Sequence, residues 1–312
     1  MKLSKLIRGG VRTYVGPKGI YLEDDSLGVL YPFETPLSQN YFIDANFLKI
    51  WNKEELAIEE KSNPKTTSLV IKNPSEKIIF NLTPVDPIFP YKDSIEGSQL
   101  KFLESLNRVS FVQKATTDLR LRCVHLENNY LVATDRSRLA IQELPEDLKI
   151  EVNLPEELIS VLGKLEIESA KLIEEENLLF LESEEFKITS KKFMPQFVPW
   201  KKIDRDLEHK ARINPLEWIE ALEKFALLEI DRIRIEIKTN EIELKGENPT
   251  AAYSAKFDSD SSYSFTLVFN LQFLLEGLKI GKPDILEYGI PSYVVFKNQK
   301  EAWCYVVCPL VE

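Results

Sequence analysis

Apolar and polar residues alternate with a period of two along much of this chain, which is the pattern of strands that have one face in water. The clearest example runs from Arg232 to Ile237 and resumes from Ile242 to Leu244 after a Thr239-Asn240 turn. Two alternating stretches joined by a short polar turn are typical of a hairpin. We therefore expect antiparallel sheet to make up much of the fold.

Apolar residues at helical spacing interrupt this alternation in three places. The segments are Asp44 to Leu56, Pro155 to Leu165 and Asn270 to Lys279, and each opens on a cap residue or a proline. Strands follow each of these segments. The pattern predicts three units that each contain a helix followed by strands, and hence an α+β fold.

A sequence repeat supports this division. Phe80-Asn81-Leu82-Thr83 precedes a segment of prolines and aromatic residues from Pro87 to Lys92, and Phe186-Lys187-Ile188-Thr189 precedes a similar segment from Pro195 to Lys201. We interpret each copy as the last strand and the exit linker of a duplicated domain. The predicted domains are 1–92, which is shortened, 93–207 and 208–312.

Composition adds that the chain is an ordinary globular protein, with 312 residues, 44% hydrophobic and 29% charged. Its longest apolar runs are much shorter than the roughly 18 to 20 residues of a membrane helix. The N-terminus also lacks the apolar core of a signal peptide. We expect a cytoplasmic protein with no membrane partner.

Residue counts argue against most enzyme classes. Three cysteines without a CxxC pair and two histidines leave little material for a disulfide framework, a structural zinc site or imidazole catalysis. We therefore predict no cofactor, no metal site and no catalytic residue. The remaining enzyme hypothesis is a metal-dependent hydrolase using Asp44, Asp135 and Asp258, and it is the weakest because these carboxylates occur singly in different units.

The formal net charge of −10 argues against a protein that binds nucleic acid on its outer surface. A ring is exempt from this argument, because only the lining of its hole must be basic. An acidic rim would then keep the protein soluble.

Four segments together resemble bacterial DNA sliding clamps, the beta subunit of DNA polymerase III. They are Val132 to Ile141 (VATDRSRLAI), Tyr305 to Glu312 (YVVCPLVE), Asn270 to Leu278 and Phe193 to Pro199. The resemblance implies three repeated clamp domains with antiparallel sheets outside and helices lining a ring. It also implies a polymerase processivity factor that encircles double-stranded DNA without regard to sequence, with DNA polymerase and the clamp loader as partners.

In that family the partners insert short hydrophobic peptides with Leu and Phe anchors into a cleft between the second and third domains. The resemblance places the cleft at Leu121, Thr134, Arg136, Arg138, Leu139, Pro195, Val198, Val306, Cys308, Pro309 and Leu310. The family commonly has Gly-His where this chain has Arg136-Ser137, and methionines where it has Cys308 and Leu310. Arg136 is expected to narrow the cleft or to favour acidic peptides.

The resemblance further implies a basic lining and a head-to-tail homodimer. The expected DNA-facing residues are Lys49, Lys53, Lys101, Arg108, Lys114, Arg120, Lys164, Lys224, Lys279 and Lys282, and the expected subunit contacts are Phe225, Leu227 and Leu228. Because the first domain is short, a second hypothesis stays open. The chain would then be a clamp-derived adaptor or decoy that binds the same peptides without encircling DNA.

Overall fold

The structure is a computed structural model that describes residues 2–6, 10–35, 37–45, 57–63, 66–72, 77–96, 99–101, 103–113, 116–145, 148–290 and 292–311. Most of the predicted helix from Asp44 to Leu56, including Lys49 and Lys53, lies outside these residues, as does Lys114. Lys101 is described only as part of a strand.

The chain folds into two compact units, each assembled from two stretches of sequence. Unit 1 contains Met1–Glu104 and Leu154–Phe193, and unit 2 contains Ser105–Asn153 and Met194–Glu312. Each unit therefore takes one part of the predicted middle domain. The three-domain division stays a prediction. Three repeats would also divide into two compact units if one sheet continued from one repeat into the next.

Four α-helices occur among the described residues, and no helix there is long and apolar enough to span a membrane. They are α1 (Leu103–Ser110), α2 (Glu156–Leu165), α3 (Pro215–Leu227) and α4 (Leu271–Gly281). The prediction for α2 is confirmed. The predicted Asn270 to Lys279 helix is also confirmed, because Asn270 caps α4 by accepting a hydrogen bond from the backbone N–H of Phe273 at 3.2 Å.

Unit 1 is built on an antiparallel sheet of eleven strands. In spatial order they are β5 (Ala57–Asn63), β6 (Thr66–Lys72), β7 (Lys77–Pro84), β4 (Tyr41–Phe42), β1 (Arg12–Gly16), β2 (Gly19–Glu23), β3 (Leu27–Pro32), β15 (Lys187–Lys191), β14 (Leu178–Glu182), β13 (Ser169–Glu175) and β8 (Gln99–Lys101). Both copies of the sequence repeat begin in a strand, since Phe80 lies in β7 and Ile188 in β15, and a proline-rich segment follows each strand.

Helix α2 buries its apolar face within unit 1, beside a short 3-10 helix at Lys2–Leu6. Leu3 is fully buried there, and Lys5 forms an ion pair of 2.6 Å with Glu166 at the end of α2. The N-terminal segment is thus held against α2 by an apolar contact and an ion pair.

Unit 2 contains an eight-stranded and a four-stranded sheet. The first has the order β12 (Glu151–Pro155), β9 (Cys123–Glu127), β10 (Tyr130–Thr134), β11 (Arg138–Glu143), β23 (Trp303–Val307), β22 (Val294–Asn298), β21 (Ile285–Tyr288) and β16 (His209–Arg212). The second has the order β19 (Ala252–Asp258), β18 (Glu241–Glu247), β17 (Arg232–Lys238) and β20 (Phe265–Asn270), which confirms the predicted hairpin.

Two glycines let α4 approach β23 closely in the core of unit 2. A Cβ atom on Gly277 would lie 2.2 Å from the Tyr305 ring, and one on Gly281 would lie 2.0 Å from the Trp303 ring. Both rings are buried. Large buried side chains of this kind each contribute about 1.5–3 kcal/mol to folding, so this contact fixes β23 relative to α4.

Candidate functional site

The eight-stranded sheet aligns three of the predicted cleft residues across neighbouring strands. Thr134 in β10 is paired with Leu139 in β11, which is paired with Val306 in β23. Directly paired residues in antiparallel strands point to the same face, so these side chains form a continuous line. All three are buried. We call Thr134, Leu139 and Val306 the apolar row.

A tight turn joins β10 to β11 at the end of this row. The Asp135 carboxylate accepts hydrogen bonds from the backbone N–H groups of Ser137 and Arg138, both at 3.0 Å. The Thr134 hydroxyl donates to the carbonyl of Arg138 at 2.7 Å. Thr134 and Asp135 therefore stabilise the turn by hydrogen bonds. The turn fixes the register that places Thr134 opposite Leu139.

Arg138 lies on the opposite face of the sheet from the apolar row, because it neighbours Leu139 in the same strand. Its guanidinium is buried and bonds to Asp135 at 2.9 Å and to Glu276 of α4 at 2.5 Å. It also lies over the ring of Phe273, 4.2 Å from the centroid. Arg138 was predicted to line the cleft, whereas the structure makes it a positioning residue that connects the turn to α4.

The predicted cleft residues Pro195 and Val198 belong to an extended segment that is half-buried. The Asn153 amide donates to the carbonyl of Pro195 at 2.7 Å, and its oxygen lies 2.8 Å from His125 Nδ1. The His125 ring stacks on Phe197 with centroids 4.6 Å apart. His125 is paired with Val132, two residues before Thr134, so the segment covers the same face that carries the apolar row.

Glu127 holds the following residues of this segment. Its carboxylate accepts hydrogen bonds from the Trp200 indole at 3.0 Å and from the Lys201 ammonium at 2.5 Å. Although partial burial acts in the opposite direction, these contacts hold the pKa of Glu127 below its usual value. Sequence analysis missed His125, Asn153 and Glu127, and the only available signal was the alternation that placed His125 and Glu127 on one face of a strand.

The C-terminal tail follows β23 and is held by two backbone hydrogen bonds. The backbone N–H of Cys308 donates to the carbonyl of Ser137 at 2.8 Å, and that of Leu310 donates to the carbonyl of Val268 in β20 at 2.8 Å. Cys308, Pro309 and Leu310 are half-buried. Burial raises the pKa of the Cys308 thiol, so it stays neutral and serves as an apolar group at physiological pH.

Leu121 and the turn residue Arg136 complete the predicted set. Leu121 ends a 3-10 helix at Leu119–Leu121 and is buried. Arg136 is exposed and contacts the carboxylate of Asp118, the residue that caps this 3-10 helix. The structure therefore connects the residues before β9 with the β10–β11 turn.

Comparison with solved structures gives matches over nearly the whole chain. A DNA polymerase III subunit beta of Pseudomonas aeruginosa aligns with a TM-score of 0.79 and 16% identity over 97% of this chain and 92% of its own. A DNA polymerase sliding clamp of Caulobacter crescentus gives 0.78 and 18% over 97% and 91%, and a DNA polymerase beta subunit of Streptococcus pyogenes gives 0.77 and 16% over the same shares. The chain has the sliding-clamp fold. No family model and no curated protein matches its sequence.

Four of the cations that were predicted to face DNA in the clamp fold are paired with carboxylates. Arg108 contacts Glu301 at 2.7 Å, Arg120 contacts Asp118 at 2.8 Å, Lys224 contacts Glu220 at 2.9 Å and Lys279 contacts Glu223 at 2.7 Å. Lys164 and Lys282 are exposed and have no ion-pair partner among the described residues. Less positive charge is therefore available to DNA phosphates than the sequence alone suggested.

The predicted subunit contacts of the clamp fold divide into two kinds. Phe225 is fully buried and packs edge-on against Tyr253, with ring centroids 4.7 Å apart. It is therefore a core residue of unit 2 and does not present a surface. Leu227 and Leu228 at the end of α3 are exposed, at 83% and 39%. Of the three predicted contacts, only Leu227 and Leu228 are exposed enough for another chain to reach them.

The hydrolase hypothesis gains no support from the positions of its carboxylates. Asp135 is used by the turn and by Arg138, and Asp258 lies in the edge strand β19 opposite Glu241. Within the part of the chain that the structure describes, no three His, Cys, Asp or Glu side chains are grouped as metal ligands would be.

Proposed function

We propose that this protein is a sliding clamp, a processivity factor that encircles duplex DNA and tethers DNA polymerase and other partners. The observation that carries this proposal is the alignment of 97% of the chain with bacterial clamps at a TM-score of 0.79. In this role no bond is made or broken. The protein would act by remaining linked to DNA while its partners work.

The apolar row and its borders support the tethering part of the proposal. Half-buried Pro195, Val198, Pro309 and Leu310 border a row whose members are apolar or hydroxyl-bearing. Two buried apolar anchors from a peptide would each contribute a few kcal/mol, which leaves roughly micromolar affinity after the peptide is ordered. Such an affinity suits partners that must exchange on one clamp.

The charges of the helices support only weak contact with DNA. Because Lys224 and Lys279 share their charge with Glu220 and Glu223, each would neutralise a phosphate less effectively than an unpaired lysine. A closed ring tolerates such weak contacts, since topology rather than affinity prevents dissociation. The adaptor hypothesis differs here, because an adaptor needs neither DNA contacts nor ring closure.

The first test is the mass in solution. A homodimer predicts about twice 36.0 kDa by light scattering after size exclusion, and Leu227→Asp should shift it towards the monomer. Leu216→Asp is the matched control, since Leu216 is an exposed leucine on the same helix, at 70%. A monomer at every concentration would contradict ring closure and leave the adaptor as the better hypothesis.

The second test addresses the peptide cleft directly. A fluorescent peptide with Leu and Phe anchors is titrated with wild type, Leu310→Asp and Val311→Asp. We expect Leu310→Asp to lose about tenfold or more in affinity, because a charge would replace a half-buried apolar contact. Val311 is 98% exposed, so Val311→Asp should bind like wild type. Equal binding by all three would contradict this location of the cleft.

A further inference from the structure

Two arginines share one carboxylate beside the apolar row. Asp118 accepts hydrogen bonds from Arg120 Nε at 3.1 Å and Nη2 at 2.8 Å, and its second oxygen also contacts Arg136 Nη2. The arginine side chains are 62% and 63% exposed, and that of Asp118 is 21% exposed. One negative charge therefore serves two positive charges, and this small patch is cationic in a protein with a net charge of −10.

The turn fixes the backbone at Arg136. Arg136 has a φ of +79°, in the left-handed region that favours glycine, and its N–H donates to the Thr134 hydroxyl at 3.1 Å. An arginine here costs stability that a glycine would not. The turn therefore holds the base of this side chain next to Thr134.

The two arginines of the patch lie close in sequence to residues of the predicted cleft. Thr134 lies two residues before Arg136, Leu139 lies three residues after it, and Leu121 follows Arg120 directly. A peptide whose apolar anchors reach the row would pass both guanidinium groups. Asp118 occupies only some of their N–H donors, and a planar guanidinium bonds well to a second carboxylate.

We propose that Arg136, with Arg120, recognises an acidic side chain of the partner peptide next to its apolar anchors. This inference rests on the proposed peptide cleft and adds the charge of the ligand that it prefers. Two other sources of the same charge, a peptide C-terminal carboxylate and a free phosphate, are distinguished in the experiment.

The experiment compares two synthetic peptides that share Leu and Phe anchors and a C-terminal amide, and that carry Asp or Asn at the position flanking the anchors. Wild type should bind the Asp peptide about three- to fivefold more tightly, as expected for an exposed ion pair. The preference should shrink as salt is raised, because exposed charges are screened. Competition by the free-acid form of the Asn peptide, and by inorganic phosphate, measures the other two sources.

Variants separate recognition from structure. Arg136→Gly and Arg136→Gln should bring the ratio of Asp-peptide affinity to Asn-peptide affinity close to one, and this ratio cancels any change in the width of the cleft, which both peptides share. Arg136→Gly should also raise the thermal midpoint by relieving the φ of +79°. Asp118→Asn should increase the preference, because it frees both guanidinium groups. Arg212→Gln is the charge-matched control, since Arg212 is exposed on β16 at the far edge of the same sheet.

The outcomes distinguish the two proposals. If neither peptide binds at any concentration up to the millimolar range, the peptide cleft itself is wrong and this inference falls with it. If both peptides bind wild type equally, or if Arg136→Gln keeps the full preference, the inference is overturned while the cleft stands. If the free carboxylate or phosphate competes better than the Asp peptide, the acidic side chain is not the ligand.

Discussion

Units 1 and 2 contain the same turn with different surroundings, and the difference shows how one scaffold can carry either a polar row that binds the chain's own linker or an apolar row. Asp24 accepts hydrogen bonds from the N–H groups of Ser26 at 2.8 Å and Leu27 at 3.1 Å, as Asp135 does from Ser137 and Arg138. In both units the turn joins the second and third strands of a three-stranded meander.

The residues on these strands differ in the two units. Unit 1 has Glu23, Gly28 and Thr189 paired across β2, β3 and β15, where unit 2 has the apolar row. We call Glu23, Gly28 and Thr189 the linker row. Its members bind the chain's own linker, because Glu23 accepts a hydrogen bond from the N–H of Ile88 at 2.7 Å and Thr189 donates to the carbonyl of Pro90 at 2.7 Å.

This comparison supports placing the proposed peptide site in unit 2. In unit 1 a buried carboxylate and a glycine make room for the linker and satisfy its backbone groups. In unit 2 the linker is held further along the strands by His125 and Glu127. Among the described residues, the side-chain hydrogen bonds of the apolar row are those of the Thr134 hydroxyl within its own turn, so the Leu139 and Val306 side chains suit the apolar anchors of the partner peptide that we propose.

The largest effect is expected when the turn of unit 2 is given the residue found in unit 1. Arg138→Leu reproduces Leu27, but it leaves the side chain of Asp135, which is 6% exposed, without its guanidinium partner. We expect a loss of about 3–5 kcal/mol in the free energy of unfolding, because removing one member of a buried ion pair strands the other. Urea denaturation followed by intrinsic tryptophan fluorescence measures it, because three of the four tryptophans, Trp200, Trp218 and Trp303, lie in unit 2.

A double variant sharpens this result. Arg138→Leu combined with Asp135→Asn should recover part of the loss, since the buried charge of Asp135 is then gone, while Glu276 is 32% exposed and keeps its hydrogen bond from Gln272. If the single variant costs less than about 1 kcal/mol, the turn hydrogen bonds are enough to hold Asp135, and the comparison between the turns becomes closer than proposed.

Sequence analysis predicted individual helices and hairpins better than the pairing of strands that are distant in sequence. Alternation and helical spacing identified the β17–β18 hairpin and helices α2 and α4, because each of these is determined by local pattern and by a cap such as Asn270. The resemblance located Thr134, Leu139 and Val306, and strand register then aligned them. Their alignment depends on pairing between β11 and β23, which are far apart in sequence.

What sequence could not show was where charged groups are used. Arg138 was assigned to the peptide cleft, and only the positions of Asp135 and Glu276 explain why it is buried instead. Phe225 carried the hydrophobicity of an interface but lies in the core. Lys224 and Lys279 were assigned to DNA without knowledge of the carboxylates that pair with them.

A smaller effect is expected from a methyl group in the linker row. In Gly28→Ala the new Cβ would lie 2.3 Å from the Tyr91 hydroxyl and 3.2 Å from Phe89 Cβ, so Tyr91 must move away from Glu23. We expect a loss of about 1–3 kcal/mol from overpacking and a broken hydrogen bond. Hydrogen exchange of the β1 to β3 amides reports the change within unit 1.

Gly163→Ala is the matched control in the same unit. A Cβ on Gly163 of α2 meets no atom within 4 Å, so this variant should be neutral or up to about 1 kcal/mol more stable. Equal behaviour of the two alanines would mean that the linker does not depend on the space above Gly28.

The smallest effect tests the charge of the linker row. Glu23 is buried, and burial raises the pKa of its carboxyl despite hydrogen bonds from Ile88, Phe89 and Tyr91 that act to lower it. Because the folded state then holds this proton more tightly than the unfolded state, the contribution of Glu23 to stability is fully present below the unfolded pKa and is lost as pH rises through the folded pKa.

Glu23→Gln removes this titration while keeping one acceptor oxygen for the linker. The stability of wild type relative to Glu23→Gln should therefore be greatest in acid and fall as pH rises above the ordinary range for glutamate, with a difference at low pH below about 1 kcal/mol. Glu184→Gln, an exposed site in the same unit, should show no such trend. A relative stability that instead grows with pH would mean that the linker's donors outweigh burial, and that the linker row holds its own chain through a carboxylate charged throughout that range.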